Sequence, residues 1–82
     1  MKVKVKLFAI LREKAGTGEL IKEVEAGTTV EQLWQLLQQA YPALAVSGVR
    51  LLYAVNQNYV GAGHVLKDMD EVVFVPPVSG GR

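Results

Sequence analysis

The chain has 82 residues, no cysteine, and a net charge of +1 with a pI near 8.0. Half of it is hydrophobic, enough for one domain around one core, although a domain this short buries only about 60–65% of its unfolded surface. The near-neutral balance gives nucleic acid and anionic membranes little to hold, and the missing thiols exclude disulfides, thiolate metal sites and cysteine nucleophiles.

Lys2, Lys4 and Lys6 alternate with Val3, Val5 and Leu7, the pattern of a strand with one face buried. No continuous apolar run follows the charged start, which argues against a signal peptide or a membrane span. With no covalent staple in so short a chain, a reducing cytoplasm is the expected setting. Phe8 falls on the lysine face, and two readings stay open there. Either the strand has ended and the ring tucks under a loop, or Phe8 is an exposed contact for a partner.

Ala9 to Ala15 suits a short helix with Ile10 and Leu11 as its apolar contacts, closed by Gly16-Thr17-Gly18. Glu19 to Glu25 reads as a second strand with a less regular pattern. The main helix opens at Gly27-Thr28-Thr29, where Thr28 with Glu31, or Thr29 with Gln32, fits a capping box. Val30, Leu33, Trp34, Leu37 and Tyr41 form its apolar stripe, and Pro42 ends it. Trp34 lies within that stripe and is expected to pack in the core. Ala43 to Gly48 reads as loop. Leu51 to Val55 is apolar enough for a strand covered on both faces. Asn56-Gln57-Asn58 turns the chain into a short strand at Tyr59-Val60. Gly61-Ala62-Gly63 is loop, Asp68-Met69-Asp70 a second turn, and Val72 to Val75 the last strand. That last strand is expected beside the first, parallel to it, in the middle of a mixed sheet.

A conventional active site is hard to assemble from these residues. His64 is the sole histidine, stands in a glycine-rich loop, and has no nucleophile spaced to use it; a structural role is expected. Asp68, Asp70 and Glu71 lack the ligand spacing of a calcium loop and are better read as turn residues. The distinctive element is the end of the chain, Pro76-Pro77-Val78-Ser79-Gly80-Gly81-Arg82. Two prolines cannot extend a sheet ladder, and they favour an extended exit. Two glycines then offer backbone thin enough for a narrow channel. The organisation expected is a domain over residues 1–75 and a presented tail over 76–82.

Four segments resemble the MoaD family, the small sulfur-carrier subunit of molybdopterin synthase. They are Val3 to Ala9 with Leu11-Arg12-Glu13 and Gly16-Thr17, then Thr29 to Leu33, then Ala54-Val55-Asn56-Gln57. The fourth runs from His64 to Leu66, with Asp68, and on from Asp70-Glu71-Val72 through Phe74 to Gly81. The resemblance implies an α+β fold of the β-grasp (ubiquitin-like) kind, with a mixed sheet of about five strands and one main crossover helix. It implies a chain that is not catalytic alone but is one subunit of a heteromeric sulfurtransferase. A MoeB-like enzyme would spend ATP to adenylate the carboxylate of Gly81, with Gly80 behind it, and a sulfur donor would convert the adenylate to a thiocarboxylate. A MoaE-like large subunit, in a heterotetramer, would use that sulfur to build the dithiolene. Phe8, Tyr59 and Val75 match family positions that pack against the partner, and Pro76, Pro77, Val78 and Ser79 would lie in its channel. The chain itself would hold no cofactor, and neither nucleic acid nor membrane is expected as a partner.

One departure bears on this chemistry. Arg82 follows Gly81, so the glycine carbonyl is an amide rather than a carboxylate until that bond is cut. Removal of Arg82 is therefore expected of a working carrier. The same tail would also suit a carrier for thiazole or tRNA thiolation, a ubiquitin-like modifier, or an inert binding module that keeps Arg82.

Overall fold

The computed structural model describes residues 1–45 and 51–76. The elements in order are β1 (Lys2–Leu7), α1 (Ile10–Ala15), β2 (Glu19–Glu23), α2 (Val30–Ala40), a 3₁₀ turn (Pro42–Leu44), β3 (Leu52–Val55), β4 (Asn58–Val60) and β5 (Glu71–Val75). The five strands form one mixed sheet in the order β2-β1-β5-β3-β4. β1 and β5 run parallel at its centre, and every other pairing is antiparallel.

The period-two alternation of β1 sets the layering. Val3, Val5 and Leu7 point to one face and are buried. The register puts Val72 beside Val5 and Phe74 beside Leu7 on that same face. α2 lays its stripe against it, with Val30, Leu33 and Leu37 fully buried. Trp34 stacks on Phe74 with ring centroids 4.9 Å apart, and Tyr53 meets the same ring edge-on at 5.7 Å. Trp34 is core packing, as its place in the stripe predicts.

Of the two capping boxes open in the sequence, the one at Thr29 forms. Its hydroxyl accepts from the Gln32 N–H at 3.2 Å, and the Gln32 side chain accepts from the Thr29 N–H at 3.0 Å. Thr28 instead donates its hydroxyl to the Glu25 carbonyl at 2.7 Å. Two further N–H groups of the first turn, those of Val30 and Glu31, donate to the His64 and Ala62 carbonyls at 3.0 Å each. The glycine-rich loop thus caps the main helix.

Three expectations need correction. Leu51 to Val55 is not covered on both faces: the strand is Leu52–Val55, and Leu52 is 49% exposed. The run is apolar because its second face is an open apolar surface. Part of the expected loop after Pro42 is a 3₁₀ turn, which carries Leu44 into the core. Ile10 is 44% exposed, and of the two it is Leu11 that anchors α1 in the core. Among the described residues, no helix is long and apolar enough to cross a membrane.

A polar clamp fixes the start of β5. Asp70 is nearly buried and accepts from the Asn56 side-chain amide at 2.8 Å and from the Lys67 N–H at 2.8 Å. The Asn56 side-chain oxygen Oδ1 in turn accepts from the Glu71 N–H at 3.0 Å. Asn56 and Gln57 have φ of 51° and 73°, the geometry of a two-residue type I′ hairpin turn. The Ala54–Gln57 and Asp70–Val72 segments therefore act together in holding the β3–β4 turn to β5.

Candidate functional site: the open face of the sheet

The face away from α2 is left uncovered by the described residues. Across it, β1 presents Lys2, Lys4 and Lys6, and β5 presents Glu71, Val73 and Val75. β3 adds Leu52 and Ala54, and β4 adds Tyr59. The register aligns Leu52 with Val75, and Ala54 with both Val73 and Tyr59. These side chains form one apolar strip over the half of the sheet from which the tail departs. Tyr59 is 73% exposed, an unusual position for so large a ring unless it is covered by a partner.

Phe8 follows β1 directly and is 48% exposed, so the ring is not tucked under a loop. The β1–β5 register ends at Leu7 beside Phe74, so one further residue brings Phe8 level with Val75. Ala9 makes this possible. Its φ of 54° and ψ of −129° lie outside the basins that L-residues favour. That bend lets Leu7 and Leu11 both enter the core while Phe8 and Ile10 stay at the surface. The conformation is held by hydrogen bonds on both sides, from the Leu7 N–H to the Gly18 carbonyl at 2.9 Å and from the Leu11 N–H to the Phe8 carbonyl at 3.1 Å.

The register thus puts Tyr59 and Val75 on one face, with Phe8 exposed just beyond the end of β1 and Pro76 half-exposed at the end of β5. Pro77, Val78, Ser79, Gly80 and Gly81 lie outside the described residues. Leu52 and Val73 belong to the strip and escape the sequence reading. Their signal is the alternation with the inward residues Tyr53, Val72 and Phe74, legible only once the register is known.

A charged ladder borders the strip. Lys4 pairs with Glu19 at 2.9 Å and Lys6 with Glu71 at 3.4 Å. The hydrogen bond and charge of Glu19 raise the Lys4 pKa above its ordinary value, and the same contact lowers that of Glu19. Both groups are open to solvent, so the pair adds little to stability. His64 and Asp68 gather no chemistry around them. His64 works through its backbone at the α2 cap, and Asp68 accepts from the Lys2 N–H at 2.8 Å.

A five-stranded mixed sheet grasping one helix, with parallel strands at its centre, defines a β-grasp domain of the ubiquitin-like class. The ThiS family matches residues 5–81, and the chain belongs to it. It is 48% identical over 82 residues to the molybdopterin synthase sulfur carrier subunit of Escherichia coli, covering 96% of this chain and 99% of that one. It is 41% identical over 83 residues to the subunit of the same name from Chlamydomonas reinhardtii, covering 99% and 100%. Among solved structures it is similar to SAMP1 from Haloferax volcanii, with a TM-score of 0.87, 29% identity, and coverage of 99% of this chain and 100% of that one.

Proposed function

We propose that this chain is the sulfur carrier subunit of a molybdopterin synthase. The observation that carries the reading is its near-complete alignment with carrier subunits of that name, together with the ThiS family match to residues 5–81. The geometry supports it. An exposed apolar strip lies on the half of the sheet whose central strand launches the tail, so a partner can hold the domain and receive the tail together. The strip would supply affinity, and tethering would supply a high local concentration of the tail.

The chemistry of the tail runs in five steps. Water first cleaves the Gly81–Arg82 amide, leaving a carboxylate on Gly81 and a free α-amine on the arginine. A MoeB-like activating enzyme then joins that carboxylate to the α-phosphate of ATP, releasing pyrophosphate and giving an acyl-adenylate. A carboxylate alone is a poor electrophile, and the adenylate gives it AMP as a leaving group. A persulfide donor next attacks the Gly81 carbonyl carbon through its terminal sulfur and displaces AMP. Reductive cleavage of the S–S bond by a thiol leaves the thiocarboxylate. Finally a MoaE-like large subunit takes the tail, and the thiocarboxylate sulfur displaces an oxygen substituent from a carbon of the pterin substrate. Water cleaves the bond between that sulfur and the Gly81 carbonyl carbon, returning Gly81 to a carboxylate. Two such deliveries supply the two sulfurs of the dithiolene. Gly81 bears the sulfur, and Gly80 keeps the approach narrow. Phe8, Tyr59, Val75 and Pro76 hold the partner, and Pro77, Val78 and Ser79 span its channel.

The likeness to SAMP1, named a small archaeal modifier protein, favours a second reading in which Gly81 is joined to lysines of other proteins. One assay separates the two. The chain shortened to Gly81 is incubated with an activating enzyme, ATP and a sulfur donor, and then with the large subunit and its pterin substrate. Formation of molybdopterin supports the carrier. Accumulation of lysine-linked conjugates without molybdopterin supports the modifier.

A further inference from the structure

β2 is an edge strand, and the hydrogen bonds on its inner side fix what its outer side offers. In the sheet it pairs with β1 alone. Met1 and Val24 exchange both backbone bonds at 2.8 Å, and the Leu7 N–H donates to the Gly18 carbonyl at 2.9 Å. Antiparallel pairing alternates, so Leu20 and Lys22 turn their backbone groups towards β1, and Glu19, Ile21 and Glu23 turn theirs outward.

Both ends of that outer edge are closed. The Thr17 hydroxyl donates to the Glu19 carbonyl at 2.9 Å. Beyond Glu23, the Glu25 carbonyl accepts from the Thr28 hydroxyl at 2.7 Å and from the Thr28 N–H at 3.2 Å, where the chain turns towards α2. Between these stops, the outward N–H and C=O groups of Ile21 and Glu23 have no partner among the described residues. Such a row of donors and acceptors is a template for one further extended strand.

The side chains set the chemistry of that strand. Glu19, Ile21 and Glu23 are exposed on the open face, an acid on either side of an apolar residue. On the inner side β1 answers them with Lys6, Lys4 and Lys2, and Lys4 pairs with Glu19 at 2.9 Å. On the outer side none of the described residues answers them, and Glu23 belongs to no ion pair among those residues. A second copy is a poor fit. Two β2 strands paired antiparallel about Ile21 set Glu19 of each against Glu23 of the other, and directly opposed like charges are destabilising. Pairing about Lys22 opposes two lysines instead. On the helix side, a hollow of about 520 Å³ lies between the end of β2 and α2, with Val24, Thr28, Gln35 and Leu36 in its wall. It gives room to the side chains that an added strand sends to that face.

We propose that the outer edge of β2 receives an extended segment of a partner protein, antiparallel to it, in which an apolar residue has lysine or arginine two positions away on each side. The apolar residue covers Ile21, and the cations meet Glu19 and Glu23. β2 and β4 are opposite edges of the sheet, so the apolar strip on β3, β4 and β5 stays open. The proposal is independent of the carrier reading.

Amide NMR titration of the full chain tests it with a synthetic probe peptide, Thr-Lys-Thr-Val-Thr-Lys-Thr with blocked ends. The Ile21 and Glu23 N–H signals shift and their hydrogen exchange slows, while the Tyr59 signal stays in place. Replacing both lysines of the probe by glutamate weakens binding about ten-fold or more, the expected loss when two cross-strand charge pairs turn repulsive. N-methylation of its valine and lysines removes the donors that face the edge and abolishes binding. Glu23→Lys, at an exposed position, weakens the lysine probe about five-fold and strengthens the glutamate probe. A lysine probe that fails to bind at millimolar concentration or leaves the Ile21 and Glu23 signals in place overturns the proposal. A glutamate or N-methylated probe that binds equally well overturns it too. So do Ile21 and Glu23 signals that shift with protein concentration alone, which assign the edge to a second copy.

Discussion

Asp70 is nearly buried and charged, yet no cation lies within ion-pair distance of it among the described residues. Its charge is met by donors instead, the Asn56 amide and the Lys67 N–H. Removing it strands both. Asp70→Ala should cost about 3 kcal/mol in urea unfolding, within the range for a hydrogen-bonded charge. Phe8 presents the opposite case, a large ring left about half exposed. Phe8→Asp should leave the melting temperature almost unchanged while weakening large-subunit binding at least ten-fold by calorimetry. A cold-unfolded Phe8→Asp would mean that the ring serves the core. At this scale the sequence was only partly legible. Alanine and methionine give no sign of positive φ, so the bends at Ala9 and Met69 could not be read from residue type. Asn56 could be read as a turn residue, but its bond to Asp70 spans fourteen positions and depends on the fold.

The elements were clearest where a single face is buried. The stripe of α2 and the alternation of β1 predict their elements and facing directly, because one side of each meets the core. β2 reads less cleanly because it is an edge strand: its inward residues Leu20 and Lys22 are only half-buried, so polarity is tolerated on both faces. β3 misleads because its outward residues are apolar for a reason other than folding. The cap of α2 gives a test at this scale. Thr29→Ala should lower stability by about 1 kcal/mol in urea unfolding, and Thr28→Ala should not act through the capping box. The Lys4–Glu19 pair joins β1 to β2 and has a defined pH window. Glu19 has a lowered pKa, so its small contribution is present above about 4.5 and fades as pH falls through the lower folded value. Lys4 has a raised pKa, so its contribution holds below 10.5 and fades as pH rises through the higher folded value. Titration of Glu19 by NMR should show the lowered value in wild type and its return towards 4.5 in Lys4→Ala.

In the molecule as a whole, the two parallel central strands put the departure of the tail beside Phe8 and the apolar strip. The parallel pairing of the first and last strands was readable from the crossover that the main helix provides between them. The extent of the open face was not, since it depends on four registers at once. The domain and tail have separable duties in this account. Deleting Gly81 and Arg82 should abolish sulfur transfer and leave large-subunit affinity within about two-fold, because the strip remains. The most direct measurement is the intact mass of the full chain after co-expression with an activating enzyme and a sulfur donor. The account predicts a chain that has lost Arg82 and exchanged one oxygen for sulfur at Gly81. A chain that keeps Arg82 and never gains sulfur would contradict it.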